Sequence, residues 1–370
     1  MIACWKYFGT QLLILISVAG FIIGGTGLWF GFAAGVVFWI GGDALSGRFS
    51  YNQPLPYPAV LEVALYSLFP SLIVMSVCFA WALGAEHDLF GIGGFIYSVC
   101  GYDALLAREA SDMFDFLGAS LSFGLSMAMG GILGGHELIH RTKDPIAMFV
   151  GRWMLAMAFN SSLEVAHVFG HHSDVATRKD PATARRGENI YAFFIRSTVG
   201  QVFQGLAIER ERLRGVPSTL SFLRNKIVRG YARSLTVGLL MLLGAGAAGL
   251  VTYALSVLWN KLLLETLNYV SHYGLVRADD APVELRHAWD SDNAFSNYAL
   301  FHFPWHAEHH ARPRVKFEQL QIDGKAPNIE RGYLATIPLV FIPTLWRAFI
   351  DPKLEDWDAH HATDKEKKML

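Results

Sequence analysis

GGHELIHR at 134–141, AHVFGHH at 166–172, NYVSHYG at 268–274 and WHAEHH at 305–310 are the four stretches on which the reading of this chain turns. They hold nine imidazoles, His136, His140, His167, His171, His172, His272, His306, His309 and His310, out of 14 histidines in 370 residues. The spacings are helical. His136 and His140 are i,i+4, as are His167 and His171, and His306 stands three and four residues before His309 and His310. One helical turn takes 3.6 residues, so each set is expected to project its rings from one face. Neutral imidazole is the commonest protein ligand for transition metals. Nine exceed what a four-coordinate zinc uses, and two metal ions sharing them is the simplest arithmetic.

The rest of the chain is apolar. It is 52% hydrophobic and 17% charged, where soluble domains carry about 25% charge. A net charge of −1 gives no bulk basicity for nucleic acid. Cys4, Cys78 and Cys100 lie far apart without a CxxC, so any metal belongs to histidine. Residues 10–42 carry no Lys, Arg, Asp or Glu, a run too long for a signal peptide and longer than one span of about 20 residues. Gly24-Gly25-Thr26-Gly27 suggests a break in its middle. Further charge-free runs cover 63–85, 116–135 and 234–260, and the segment after Lys261 leads into the third histidine box. The expectation is an all-α integral membrane protein of about six transmembrane helices with a cytoplasmic, helical, histidine-rich site. It forms one domain: a first bundle over 10–135, the first two boxes over 136–229, further spans over 230–272, and the last box within 273–370.

Loop charge sets the orientation. Residues 141–229 carry fourteen Lys or Arg, whereas 84–115 has one Arg against six acidic residues, Glu86 among them. The positive-inside rule puts the histidine side in the cytoplasm. The charged end 351–370, with His360 and His361, is expected to be a solvated tail. ERERLR at 209–214 is expected to be a solvated helix face, and 332–346 is too short to cross. His287 and His302 fit orienting or packing roles better than ligation.

HExxH alone would also suit a zinc peptidase, but that leaves His167, His171, His172 and the last box without work. A membrane metal carrier is a further, non-enzymatic reading.

Taken together, HELIHR, HVFGHHSDVATRKDPATARRGE, LNYVSHYGLVR, RHAWDSDN and WHAEHHARP resemble the membrane-bound alkane 1-monooxygenase family and its relatives acting on the methyl groups of xylene and cymene. The resemblance runs over roughly 24–357. It implies a non-haem diiron centre (two Fe) held by the nine box histidines, with O2 and two electrons used per turnover. The implied reaction takes an n-alkane to a 1-alkanol. Methyl hydroxylation of an alkyl-arene is the alternative, and fatty-acid desaturation a more distant one. It further implies a rubredoxin or ferredoxin-type electron donor with an NAD(P)H-dependent reductase, a hydrocarbon substrate drawn from the lipid bilayer, and a bacterial inner membrane. Glu137, Asp180, Arg185, Asn268 and His287, with Asp174 and Glu308, are the outer-shell candidates. Three departures stand out: Ser271 and Ala166 occupy positions where the family carries Glu, and WHAEHH replaces the more usual RHSDHH.

Overall fold

The computed structural model describes residues 2–49, 57–84, 87–321 and 324–370; Glu86 of the acidic loop lies outside them. Among the described residues the chain is helical, with isolated bridges and no strand. The first seven helices that matter here are α1 (Cys4–Ile23), α2 (Gly25–Leu45), α3 (Pro58–Leu83), α4 (Met113–Ile139), α5 (Pro145–Met157), α6 (Ile190–Arg212) and α7 (Lys226–His272). Five of these, α1 to α4 and α7, are long and apolar enough to cross a membrane.

The expected count of about six spans compares with five such helices, because α7 carries two legs. Its 47 residues would run to about 70 Å at 1.5 Å per residue, more than twice the apolar thickness of a bilayer. At Gly246 the backbone takes φ 66°, ψ −165°, a region essentially closed to other residues. There α7 doubles back, so that Gly238 on its first leg faces Leu250 and Tyr253 on its second. Five helices thus supply six apolar legs. The break expected near Lys261 is absent. That residue continues the helix with its Nζ 2.7 Å from Glu265 Oε1, one turn on, and the pairing makes the buried carboxylate tolerable. The α1–α2 junction uses the same device, with Gly24 at φ 71°, ψ −178°.

Local sequence sets the remaining boundaries. Pro58 opens α3 at a position where its missing N–H costs nothing. The helix passes Pro70 unbroken, as proline can in an apolar bundle. Asp112 and Asp115 form a capping box that starts α4. In α4, 83% of the apolar window is buried, against 33–44% in the other four, so α4 is the central strut. Its last turn carries His136.

Beyond the spans, α8 (His306–Ala311), α9 (Tyr333–Val340), α10 (Pro343–His360) and α11 (Asp364–Lys367) pack at the histidine end. The tail departs from the expectation of a solvated end: it is docked, with Leu354, Trp357 and Glu366 buried and Arg186 paired to Asp358 at 2.5 Å. ERERLR is the exposed face expected at Arg210, Glu211, Arg212 and Arg214, while Glu209 is buried, holds Arg212 at 2.6 Å and accepts from Lys226 N at 2.6 Å.

Candidate metal centre

The nine box histidines converge, in two sets. His136, His140, His167, His172 and His309 form one, and His171, His272, His306 and His310 the other; within each, one nitrogen per ring lies within 4.8 Å of the rest. In the five-ring set His136 Nε2 is 2.7 Å from His167 Nε2, which is 3.0 Å from His172 Nε2. In the four-ring set His306 Nε2 is 2.9 Å from His272 Nε2 and 3.1 Å from His310 Nε2.

This partition corrects the expectation that His167 and His171 share a face. Ala166–His171 is a wide π turn, which brings residue i+5 rather than i+4 into line and is frequent at functional sites. His172 thereby joins His167, while His171 swings to the other set. On α8 the ordinary spacing holds: His306 and His310, at i,i+4, go together, and His309 faces the first set. A second wide turn, Met127–Ile132, sits just before His136 on α4.

The donor chemistry fits two transition-metal ions. All nine imidazoles are buried. Burial, reinforced by neighbouring imidazoles, holds His140, His167, His172, His306 and His310 well below the ordinary histidine range and His309 down to about 3. These six rings are therefore neutral at physiological pH, the form that ligates. His140, His171 and His309 each bury an Nε2 that has no hydrogen-bond partner, the kind of orphan a bound ion resolves. No carboxylate enters either set among the described residues, in contrast to carboxylate-rich dinuclear sites in four-helix bundles.

Two rings of the four-ring set are oriented from behind. His171 Nδ1 lies 2.8 Å from Asp180 Oδ2, which also accepts from Thr183 Oγ1 at 2.6 Å. Burial pushes the Asp180 carboxyl up, but the adjoining His171 imidazole and the Thr183 hydroxyl hold it below its usual value. His272 Nδ1 is 3.3 Å from the carbonyl of His287. The His287 ring in turn accepts from Glu284 N at 3.0 Å through Nδ1, so Nε2 carries the proton and donates to Glu366 at 2.9 Å.

Asp180 and His287 thus stand directly behind ring nitrogens, and the other outer-shell candidates do not. Glu137 pairs with Arg141 at 3.0 Å. Arg185 is exposed. Asn268 belongs to a network around Glu265, at 3.3 Å, one turn from His272. Asp174 accepts from Gln204, and Glu308 pairs with Arg312 and Gln321 N. His302 is held between Tyr7 and the Phe317 carbonyl. The exposed His360 contacts only Asp356.

Three contributors were missed. Thr183 was visible in the DPAT run as a hydroxyl three residues after Asp180. Asp290 accepts from Ala307 N at 2.7 Å and so caps α8; burial raises its carboxyl to about 7 against the pull of the Ala307 and His306 N–H groups. Glu366 carried no local signal, being one acid in a charged tail.

The arrangement is that of a metal site built of two all-imidazole donor sets at one end of a membrane helix bundle. Comparison with known proteins agrees. The fatty acid desaturase family model matches residues 114–325. Alkane 1-monooxygenase 2 of Pseudomonas aeruginosa is 34% identical over 69% of this chain and 69% of its own length. Alkane 1-monooxygenase 1 of Alcanivorax borkumensis is 29% identical over 70% of this chain and 65% of its own length. The xylene/toluene monooxygenase hydroxylase component XylM of Pseudomonas putida is 30% identical over 98% of this chain and 92% of its own length. The chain belongs to the fatty acid desaturase family, and within it to the membrane-bound hydrocarbon monooxygenases. It is an oxidoreductase and a membrane protein.

Proposed function

We propose that the protein hydroxylates a terminal methyl group of a hydrocarbon, with two irons held one by each imidazole set. The convergence of nine imidazole rings into sets of five and four is the observation that carries this reading. Bound iron supplies the dioxygen chemistry that side chains lack. Overall, one methyl group, one dioxygen, two electrons and two protons give one primary alcohol and one water.

The chain's own residues prepare that chemistry. Asp180, with Thr183 behind it, fixes the His171 tautomer so that Nε2 faces the centre. The His287 carbonyl does the same for His272. A small gap lined by Leu133, Leu300, Phe303 and Phe317, with Glu137 and His302, lies against His136 and His309, the side from which we take the substrate methyl group to approach. Loop charge supports a cytoplasmic position for this end of the bundle, in what we take to be a bacterial inner membrane. There a rubredoxin or ferredoxin-type protein, reduced by an NAD(P)H-dependent reductase, delivers the electrons.

For the substrate, an alkyl-arene methyl group is favoured by a likeness to XylM that spans nearly the whole chain. Ser271, buried with its hydroxyl on the Leu267 carbonyl, adds to this as a departure from the alkane-type pattern. An n-alkane is the second reading, supported by 34% identity to an alkane 1-monooxygenase. The test is a host without hydrocarbon oxidation, supplied with either donor system and offered para-xylene, octane and hexadecane under labelled dioxygen. A labelled primary alcohol from one substrate is expected. Labelled alcohol from none, with iron loaded and donor reduced, sinks the reading.

A further inference from the structure

Away from the histidines, three cations, Arg152, Lys226 and Arg233, lie within 4 Å of one carboxylate where α5 meets the first leg of α7. Glu164, buried, is fully used by Arg152, whose Nε and Nη2 lie 2.8 and 2.6 Å from its two oxygens. Lys226 Nζ and Arg233 Nη2 stop at 3.7 and 3.9 Å from the same carboxylate, beyond hydrogen-bond reach. Arg233 also buries an Nε with no acceptor, and Arg229 and Arg152 crowd it with like charge. The nearest second acid, Glu209, is already taken by Arg212 and by Lys226 N. The cluster thus holds part-buried donors, one of them the buried and unpartnered Arg233 Nε, and excess positive charge, with its one carboxylate already occupied.

Its height is that of lipid headgroups. Arg233 is the last charge before the charge-free run 234–260. Just ahead of α7, Leu220, Phe222 and Leu223 are exposed, as are Ile146 and Phe149 on α5. Lys226 Nζ lies 5.1 Å from the Phe169 ring centre, half wrapped by an apolar surface.

We propose that this cluster binds the phosphate of an anionic phospholipid. The lipid oxygens accept from Arg233 and Lys226 while its acyl chains lie along the apolar face of α5 and α7. Basic pockets between helices on the cytoplasmic side recognise headgroups in this way. The inference does not depend on the reaction proposed above, and its test reads no turnover.

Purified protein is exchanged into detergent containing equal phosphatidylglycerol and phosphatidylcholine, and retained lipid is counted by native mass spectrometry. The parent is expected to keep phosphatidylglycerol selectively. Each charge removed weakens retention by about fivefold, so Lys226→Gln with Arg233→Gln costs about 25-fold. Arg210→Gln with Arg214→Gln, which removes exposed charges elsewhere, leaves retention unchanged. Arg233→Lys keeps the charge and preserves selectivity; Lys226→Gln alone gives the single step should the paired variant fold poorly. Equal retention of the two lipids by the parent, or undiminished retention in Lys226→Gln, overturns the proposal. Displacement of the lipid by millimolar inorganic phosphate also overturns it, in favour of a free-anion site.

Discussion

The two imidazole sets differ in what stands behind them. In the four-ring set, His171 and His272 are oriented by Asp180 and by the His287 carbonyl. In the five-ring set, no carboxylate or carbonyl accepts from a ring among the described residues. Its rings hold one another, as in the edge-on contacts of His140 with His309 and with His167 at centroid distances of 4.7 and 5.2 Å. One metal site is thus buttressed by the protein, and the other is held by its ligands alone.

The comparison can be broken at several points. The largest effect is expected from His136→Ala or His309→Ala: turnover is lost while the protein still inserts, and metal analysis finds the remaining ion in the four-ring set. Turnover like the parent's would remove these rings from the ligand list. Deleting Phe169, exposed within the wide turn, is expected to convert it to ordinary helix and pull His172 out of line with His167. Metal content should then fall in the five-ring set, and unchanged loading would show that the extra residue is dispensable.

Asp180→Ala sharpens the contrast. Loss of the carboxylate behind a ligating imidazole costs about 10–100-fold in metal affinity, and competition with a chelator should show this for one ion of two. Equal weakening of both ions would mean the sets are not independently supported. Glu366→Ala removes the acceptor for His287 and a partner of Arg286 at 3.2 Å. Breaking a buried charged contact of this kind costs about 3 kcal/mol. Faster protease cleavage after residue 360, without loss of the five-ring metal, is the expected readout.

The smallest effect concerns pH. His309 sits at about 3 in the folded chain against an ordinary 6.5, so between those values the unfolded chain binds more protons. The stabilisation is complete above 6.5 and is lost as pH falls toward 3. His140, His167, His172, His306 and His310 shift in the same direction. The melting midpoint of metal-free protein should therefore drop on acidification below about pH 6.5 more steeply than one proton allows. A flat profile would mean the rings are not buried neutral.

Much of the site was legible because each histidine box carries its own spacing, and charge-free runs of span length leave few alternatives to membrane helices. The partition into sets was not, because it hangs on one surplus residue in 166–171, and nothing in AHVFGHH distinguishes a wide turn from an ordinary one. The apolar runs likewise gave no sign that Gly246, rather than the neighbourhood of Lys261, was the fold point. Lys261 interrupts the apolar run in the sequence, but Glu265, one helical turn on, neutralises it and lets the helix continue. The docked tail was unreadable for a different reason. Glu366 gains its meaning only from Arg286 and His287, some eighty residues earlier.

The two glycine folds, at Gly24 and Gly246, bear on how such a protein is made. Each joins two apolar legs by a turn with no charged residue at its tip. Such pairs can enter the bilayer as closed loops, with almost nothing hydrophilic to push across. Of the far-side segments only 84–112 brings charge to that face. The far side of the bundle thus carries one polar stretch, and all nine box histidines stand at the opposite end.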